Sequence, residues 1–483
     1  MPLLSYLNQR AQDWLINIEP ATLLALITQR LEQINQHPTA QYPTILLAEA
    51  DPIQFLAGFI AACSTDCPVF LGNPNWAEAE WQQVFGLVHP DLIFGNGISL
   101  SPTFPNFPRS ARLTSRIFPP PTPGWIMIPT GGSSGNIRFV IHTLETLAAA
   151  TQGFQVFFEV EQIHAFCVLP LYHVSGLMQI LRSLLTGGRL AILPFKQLEH
   201  SLTQSAIDSS ILLQSISGLT QPFDSEPFFL SLVPTQLQRL LQNPVAVDWL
   251  QQFPTIFVGG APAWPELLTI ARQQQLPLAP TYGMTETAAQ IATLKPHQFL
   301  QGATGCGQIL PHARVEIKDA ASVADVGLIT IQAKSLMLGY FPDATRPEQF
   351  WTDDLGYLDT QGILHVVGRN SQKIITGGEN VFATEVEAAI RATGLVNDVC
   401  VVGMPDQTWG EVVTAVYVPS SAAISQFELK AALAPRLSSF KHPKQWIAVD
   451  TLSRNAQGKI NPEYLKQILE SYQTPYPHQS PNQ

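Results

Sequence analysis

An α/β fold is predicted for this chain by three observations. Short apolar runs of strand type alternate with stretches whose apolar residues recur at helical spacing, which suggests a mostly parallel sheet with helices on its faces. Hydrophobic residues make up 46% of the 483 and charged residues only 13%, against about 25% charged in typical globular chains. The 39 prolines and 31 glycines mark frequent turns. A chain of this length divides into two to four domains or subdomains on size alone.

The alternation starts early. Ala21–Gln36 reads as a helix, Thr44–Ala48 as a strand, Pro52–Cys63 as a helix and Pro68–Leu71 as a strand. Proline-rich connections follow: Ser101–Arg109 holds three prolines, and Phe118–Pro123 contains Pro119, Pro120 and Pro121. Beyond Trp125 the runs Leu190–Leu193, Thr255–Val258, Gly327–Ile331 and Gly362–Val367 read as strands. Glu379–Thr393 reads as a helix, Val399–Val402 as a strand and Phe427–Arg436 as a helix. Ser471–Gln483 is polar and proline-containing, and reads as a disordered tail. No internal repeat is evident.

Composition excludes several classes. Scarce charge argues against a disordered chain or a coiled coil. Lys+Arg 26 against Asp+Glu 37 gives a net charge of −11, which disfavours nucleic acid as a partner. The five cysteines, Cys63, Cys67, Cys167, Cys306 and Cys400, are scattered and form no second pair at zinc-site spacing, so they read as reduced, mostly buried thiols. Met1–Arg10 lacks a basic segment followed by an apolar run, and the apolar stretches fall short of the ~20 residues of a membrane span. The expectation is a soluble, cytoplasmic protein without a transmembrane segment.

The chemistry begins at a loop. Ile126–Pro129 is an apolar run that leads into Thr130-Gly131-Gly132-Ser133-Ser134-Gly135, with Arg138 three residues on. Backbone N–H groups and hydroxyls in such a loop can surround phosphate oxygens, and Arg138 adds fixed positive charge. The pattern is not the G-x-x-x-x-G-K-[ST] of a Walker A loop.

Thr130–Arg138 resembles the phosphate-binding signature of the adenylate-forming enzymes, a family of acyl-CoA synthetases, luciferases and peptide-synthetase adenylation domains. That family usually has lysine at the place of Arg138 and proline at that of Ile137; arginine keeps the charge but changes the geometry. Further signatures follow in the family's order. Pro170-Leu171-Tyr172-His173-Val174-Ser175-Gly176 is similar to the segment bordering the acyl site. Val258-Gly259-Gly260-Ala261-Pro262 resembles the loop that lies against adenine. Thr281-Tyr282-Gly283-Met284-Thr285-Glu286-Thr287 is the strongest local match.

The resemblance implies roles residue by residue. Tyr282 stacks on adenine, Thr285 contacts the α-phosphate and Glu286 holds Mg²⁺, while Thr281 and Gly283 belong to the same nucleotide segment. Trp351–Tyr357 resembles the ribose signature, so Asp354 takes the ribose hydroxyls and Arg369 also reaches the nucleotide. Asp353 stands where the family usually has glycine, and Ser371 where the hinge is commonly Asp or Lys. Thr376–Val381, with Gly377 and Gly378, is similar to the loop that enters the active site for thioester formation. Ser453–Ile460 places Lys459 where the family's lysine bridges carboxylate and α-phosphate.

The fold implied is a large N-terminal domain of packed sheets and helices, residues 1–369, with a small mobile α+β C-terminal domain, residues 370–470, and the tail 471–483. The activity implied is carboxylate activation with ATP and Mg²⁺, then transfer to coenzyme A, with Lys459, Thr285, Glu286 and His173 catalytic. The match looks closest to the o-succinylbenzoate–CoA ligase branch, which serves menaquinone and phylloquinone synthesis. That acid carries a second carboxylate, which needs a cationic or hydrogen-bonding partner when buried. Arg182, nine residues after His173 on an apolar helix, is the candidate, with Ser175 and Gly176 at the pocket; His142 and Ser175 would also help to shape it. Three alternatives stay open: another aryl or fatty acyl-CoA ligase, an adenylation enzyme loading a carrier protein, and a non-catalytic nucleotide-binding protein.

Overall fold

The computed structural model describes residues 3–10, 14–16, 18–38, 41–95, 121–131, 137–204, 227–320, 322–377, 379–406, 408–454 and 458–473. Among them the chain forms four sheets. The proline-rich stretch 101–120, Gly132–Gly135 of the glycine-serine loop and Gly378 lie outside the described residues.

The first sheet is built from β1 (Ile45–Leu47), β2 (Val69–Leu71), β3 (Leu92–Phe94), β4 (Ile126–Gly131) and β5 (Ile137–His142), closed by the short β15 (Gly339–Tyr340). β3, β1, β2 and β4 run parallel, whereas β5 pairs antiparallel with β4 and with β15. β1 and β2 are buried on both faces and therefore read as continuous apolar runs. Helices α1 (Leu3–Arg10), α2 (Pro20–Asn35), α3 (Pro52–Ser64) and α4 (Glu78–Leu87) precede or link these strands. Asp51 caps α3 by accepting from the N–H groups of Ile53 and Gln54, and Pro52 fits the first helical turn.

The second sheet contains β6 (His164–Cys167), β7 (Leu190–Ile192), β8 (Phe228–Leu232), β9 (Thr255–Val258), β10 (Leu278–Met284), β11 (Ala289–Thr293) and β12 (Gln308–Ile309). β7, β6, β8, β9 and β10 are parallel; β11 and β12 complete one edge antiparallel. Around them come α5 (Leu144–Phe158), α6 (Val174–Thr186), α7 (Phe195–Gln204), α8 (Pro234–Leu240), α9 (Pro244–Leu250), α10 (Pro265–Gln273) and α11 (Pro296–Leu300). One large apolar cluster, running from Leu3 to Ile363, unites α1–α3, α5 and α6 with the first two sheets. The third sheet is wholly antiparallel: β13 (Ala313–Lys318), β14 (Gly327–Ala333), β16 (Phe350–Leu358) and β17 (Leu364–Arg369).

The fourth sheet joins β18 (Lys373–Thr376), β19 (Glu379–Phe382), β20 (Val396–Asp406), β21 (Gly410–Pro419) and β22 (Gln445–Ala448), flanked by α12 (Ala383–Arg391) and α13 (Gln426–Leu433); α14 (Pro462–Gln473) ends the described chain. Its core, from Ile374 to Trp446, is a separate cluster made only of residues after 370.

Two expectations are corrected. Glu379–Thr393 is not one helix: Glu379–Phe382 pairs with β18 as a hairpin, with Gly377 at φ +61°, and the helix starts at Ala383. Val381 is fully buried there, and a β-branched residue suits the pleated surface. The expected tail also starts too early, because α14 continues through Ser471 to Gln473. The cysteines are free, and all are buried except the half-buried Cys306.

Candidate active site

The site forms where strand ends from the first three sheets meet a loop from the C-terminal part. β4 and β5 bring Thr130 opposite Arg138 and Gly131 opposite Ile137. The N–H of Ile137 donates to Gln83 Oε1 on α4 at 3.0 Å, a bond that a proline there would lack. Arg138 lies over the Tyr340 ring, 4.3 Å from its centroid, and the Tyr340 hydroxyl donates to Glu286 Oε1 at 2.8 Å. Tyr340 thus links the arginine three residues after the glycine-serine loop to the carboxylate expected to hold the metal. Burial, and then Glu286, push the Tyr340 pKa up, so it remains a donor.

Thr285–Thr287 form one tight helical turn after β10, followed by Ala288 and Ala289 at positive φ. This turn is fixed from several sides. His142 Nε2 donates to the Thr285 carbonyl at 2.7 Å, the Met337 N–H donates to the Glu286 carbonyl at 2.9 Å, and Ser335 donates to the Thr287 carbonyl at 2.8 Å. His142 is fully buried, and burial lowers its pKa to about 4. It is therefore neutral, and its Nδ1 accepts from Thr146 at 3.0 Å. Gly283 is required at its place, since a Cβ there would lie 2.1 Å from the Ala289 carbonyl oxygen. The Thr281 hydroxyl is used inside the sheet, donating to the Ala292 carbonyl at 2.8 Å. Gly259 closely approaches Thr281, and Gly260 takes a positive φ before Ala261.

Asp354 is 8% exposed and pairs across strands with Arg369. Its Oδ1 accepts from Arg369 Nε at 3.3 Å and its Oδ2 from the Tyr282 hydroxyl at 2.6 Å. A carboxylate with one bond per oxygen keeps lone pairs for further donors, such as a sugar's hydroxyls. Burial and the Asp354 charge hold the Tyr282 pKa well above the usual phenol range.

Lys459 arrives from the other end of the sequence, close enough to Arg369, Glu286 and Asp354 for their charges to act on it. The residue is solvent-exposed, yet desolvation, and then Arg369, lower its pKa against the pull of the two carboxylates. Gly458, at φ +73°, lets the loop sit against Thr235 of α8, whose Oγ1 would be 2.9 Å from a Cβ. His173 is the N-cap residue of α6, and its ring lies tilted at 56° to that of Tyr172 with centroids 4.5 Å apart. Burial, and then Lys459, lower its pKa to about 3, so it is neutral.

Ser175, Gly176 and Arg182 all belong to α6, the helix that His173 caps. Ser175 is half-buried in the first turn of α6, and Gly176 lets that turn approach the Pro170 carbonyl, 2.2 Å from where a Cβ would stand. Arg182 is 2% exposed and stacks over Phe154 of α5, 4.4 Å from the ring centroid. Its Nε and Nη2 have no hydrogen-bond partner among the described residues, nor has either ring nitrogen of the neighbouring His312. Gly153 makes room for His312, whose Nδ1 would be 1.9 Å from a Cβ at that position. Gly377 packs on Trp409 of the turn between β20 and β21, within the part of the chain after residue 370. Tyr340, His312 and Gly153 carried no sequence signal, because each belongs to a segment without a motif.

Glu286 Oε2 makes no hydrogen bond among the described residues, which leaves it for a cation. Those residues hold no cluster of three His, Cys, Asp or Glu side chains suited to a metal. One carboxylate completed by nucleotide phosphates is a usual magnesium environment. No helix among the described residues is long and apolar enough to cross a membrane.

The chain is similar to known proteins over most of its length. The profile of the AMP-binding enzymes matches residues 115–341, and that of the AMP-binding enzyme C-terminal domain matches 385–459. A 2-succinylbenzoate–CoA ligase of Listeria monocytogenes is 33% identical over 348 residues, covering 70% of this chain and 68% of the relative. The o-succinylbenzoate CoA synthetase of Bacillus subtilis, in complex with its acyl-adenylate intermediate, shares the fold with a TM-score of 0.78 at 24% identity, over 95% of this chain and 97% of that one. The same synthetase with ATP and a magnesium ion gives 0.76 at 22% identity, over 96% and 98%. With both parts of the chain matched and two thirds of a ligase covered at this identity, the protein belongs to the AMP-binding enzyme family.

Proposed function

We propose that the chain is a 2-succinylbenzoate–CoA ligase acting in the cytoplasm on the route to menaquinone or phylloquinone. The observation that carries the chemistry is the convergence of Lys459 with Glu286, Asp354 and Arg369 from distant parts of the sequence. In the first half-reaction a carboxylate oxygen attacks the α-phosphorus of ATP, and the bond to pyrophosphate breaks. Negative charge gathers on the phosphates and the incoming acid. Arg138, Lys459 and the backbone around Thr130–Gly135 would stabilise it, with Asp354 and Arg369 holding the ribose, Tyr282 beside the adenine and Thr285 at the α-phosphate. Bound magnesium would supply positive charge to the phosphate oxygens, and Glu286 is the residue to hold it.

In the second half-reaction the sulfur of coenzyme A attacks the acyl carbon and AMP leaves. Residues 1–369 act as the adenylating domain and 370–470 as the mobile one, turning near Ser371 to replace Lys459 with the Gly377–Gly378 loop. The separate apolar core after residue 370 supports motion as a unit. The dicarboxylic substrate is supported by Arg182 and His312. A buried guanidinium without a counter-charge is costly, and a second carboxylate would satisfy it.

The test is CoA- and ATP-dependent consumption of 2-succinylbenzoate beside benzoate and a medium-chain fatty acid, with Lys459→Ala as control. Selective use of the first acid, lost in the control, is expected. Activity confined to another acid would discard the substrate and the Arg182 role.

A further inference from the structure

Lysine is a flexible side chain, and holding its ammonium at one spot requires a fixed backbone beneath it. In this chain that backbone is tied down by an arginine five residues earlier. We infer that Arg454, gripped by Asp398, is the positioning residue that presents Lys459 for acyl-adenylate formation; the inference rests on the function proposed above.

Arg454 Nη1 donates to the Gly458 carbonyl at 2.7 Å. That carbonyl belongs to the peptide unit joining Gly458 to Lys459, so the bond acts directly on the backbone that carries the ammonium. The guanidinium also grips Asp398, with Nε to Oδ2 and Nη2 to Oδ1, each at 2.7 Å, and Nη2 reaches the Val399 carbonyl at 3.4 Å. This fork-to-fork pairing fixes orientation as well as distance. Backbone pairing closes the loop at its base, where Arg454 bridges Ile460 and the Asn461 N–H donates to the Ser453 carbonyl at 2.9 Å.

Asp398 is itself anchored. Its Oδ1 accepts from the Val399 N–H at 2.8 Å and from Arg391 Nη2 at 3.1 Å. Arg391 also donates to the Val399 carbonyl at 2.8 Å and to Glu387 at 3.4 Å, while Glu387 accepts from the Val401 N–H at 2.9 Å. The lysine loop is thereby bound to β20 and α12. Arg391 lies 5.1 Å from the Trp264 ring centroid, so the same network also touches the N-terminal body. Burial alone would raise the Asp398 pKa, but the bonds from Arg454 override it and hold the carboxyl below its usual range. The pair therefore stays ionised at neutral pH.

Arg454 acts through Lys459, so its effect should fall on one half-reaction. Arg454→Lys keeps the charge but cannot make the fork and the third bond together. Expected is a loss of about 10–100-fold in ATP–pyrophosphate exchange with 2-succinylbenzoate, from a displacement of the order of 1 Å. Thioester formation from preformed acyl-adenylate and coenzyme A should stay within about twofold, since it does not use Lys459. In a Lys459→Ala background, Arg454→Lys should add less than about twofold to the exchange defect, because the two residues act as a unit. Equal loss in both half-reactions, multiplying losses in the double variant, or unchanged exchange in Arg454→Lys would each overturn the inference. A wild-type chain without exchange on this acid would instead remove the proposed function, and this inference with it.

Discussion

Ser371 is bonded twice to Asp353. Its N–H donates to Asp353 Oδ1 at 3.1 Å, and its hydroxyl donates to the other carboxylate oxygen. These are the two positions where the chain departs from the family's usual glycine and usual hinge residue. Each departure supplies the other's partner, joining β16 to the segment after β17. The bond exists in the arrangement that keeps Lys459 near Glu286 and Asp354.

Removing it should therefore disfavour that arrangement. Asp353→Ala is expected to weaken it by about 0.5–1.5 kcal/mol, or about 2–10-fold in population. Single-turnover adenylation should slow by that factor, while thioester formation from preformed adenylate is unchanged or faster. An equal slowing of both steps would show that the pair serves stability alone.

With the role proposed for Lys459, its lowered pKa should set an alkaline limit on adenylation. The ammonium is the useful form, and it is lost as pH rises through a value below 10.5. The pH profile of kcat/KM for ATP, which reports the free enzyme, should fall on the alkaline side below that point. Lys459→Arg should carry the descending limb to higher pH, because arginine stays charged. A limb that does not move would assign the titration to another group.

Arg182→Met separates binding from stability. The arginine is buried and its Nε and Nη2 are unpartnered, so replacement by an apolar side chain of similar length should leave the melting temperature unchanged or higher. The KM for 2-succinylbenzoate should rise at least about 30-fold, the equivalent of ~2 kcal/mol for a lost buried charge pair. The KM for ATP should hold. A fall in melting temperature without a KM effect would make Arg182 a structural residue.

His142 makes stability depend on acid. Its folded pKa, about 4, lies below its ordinary 6.5, so between these values the unfolded chain binds more protons. Its contribution is complete above about pH 6.5 and is lost as pH falls towards 4, at most about 3 kcal/mol. The urea midpoint should therefore drop over this window, and drop less in His142→Gln. An identical drop in the variant would assign the acid sensitivity elsewhere.

The α/β class and several elements were legible in the sequence because apolar periodicity is local. Thr255–Val258 is observed as predicted, and Pro52–Cys63 extends by one residue. Where local pattern was ambiguous, tertiary pairing decided, as at Glu379–Phe382, which the neighbouring strand draws into a hairpin. The signature segments were also legible, since glycine, carboxylate and lysine stand at recognisable spacing. Sequence could not show which signatures meet. Only the folded chain puts Tyr340 between Arg138 and Glu286, the Tyr282 hydroxyl on Asp354, and Arg454 under the Lys459 loop. Tyr340 and Glu286, and Tyr282 and Asp354, are far apart in the chain, and Arg454, though five residues before Lys459, is oriented by the distant Asp398; such partners are chosen by the crossing of strands. The sequence by itself determined the fold class and the chemical inventory, which depend on composition and short-range order. The tertiary structure decided the partnerships, because charge and hydrogen bonding act over a few ångströms of space and not along the chain.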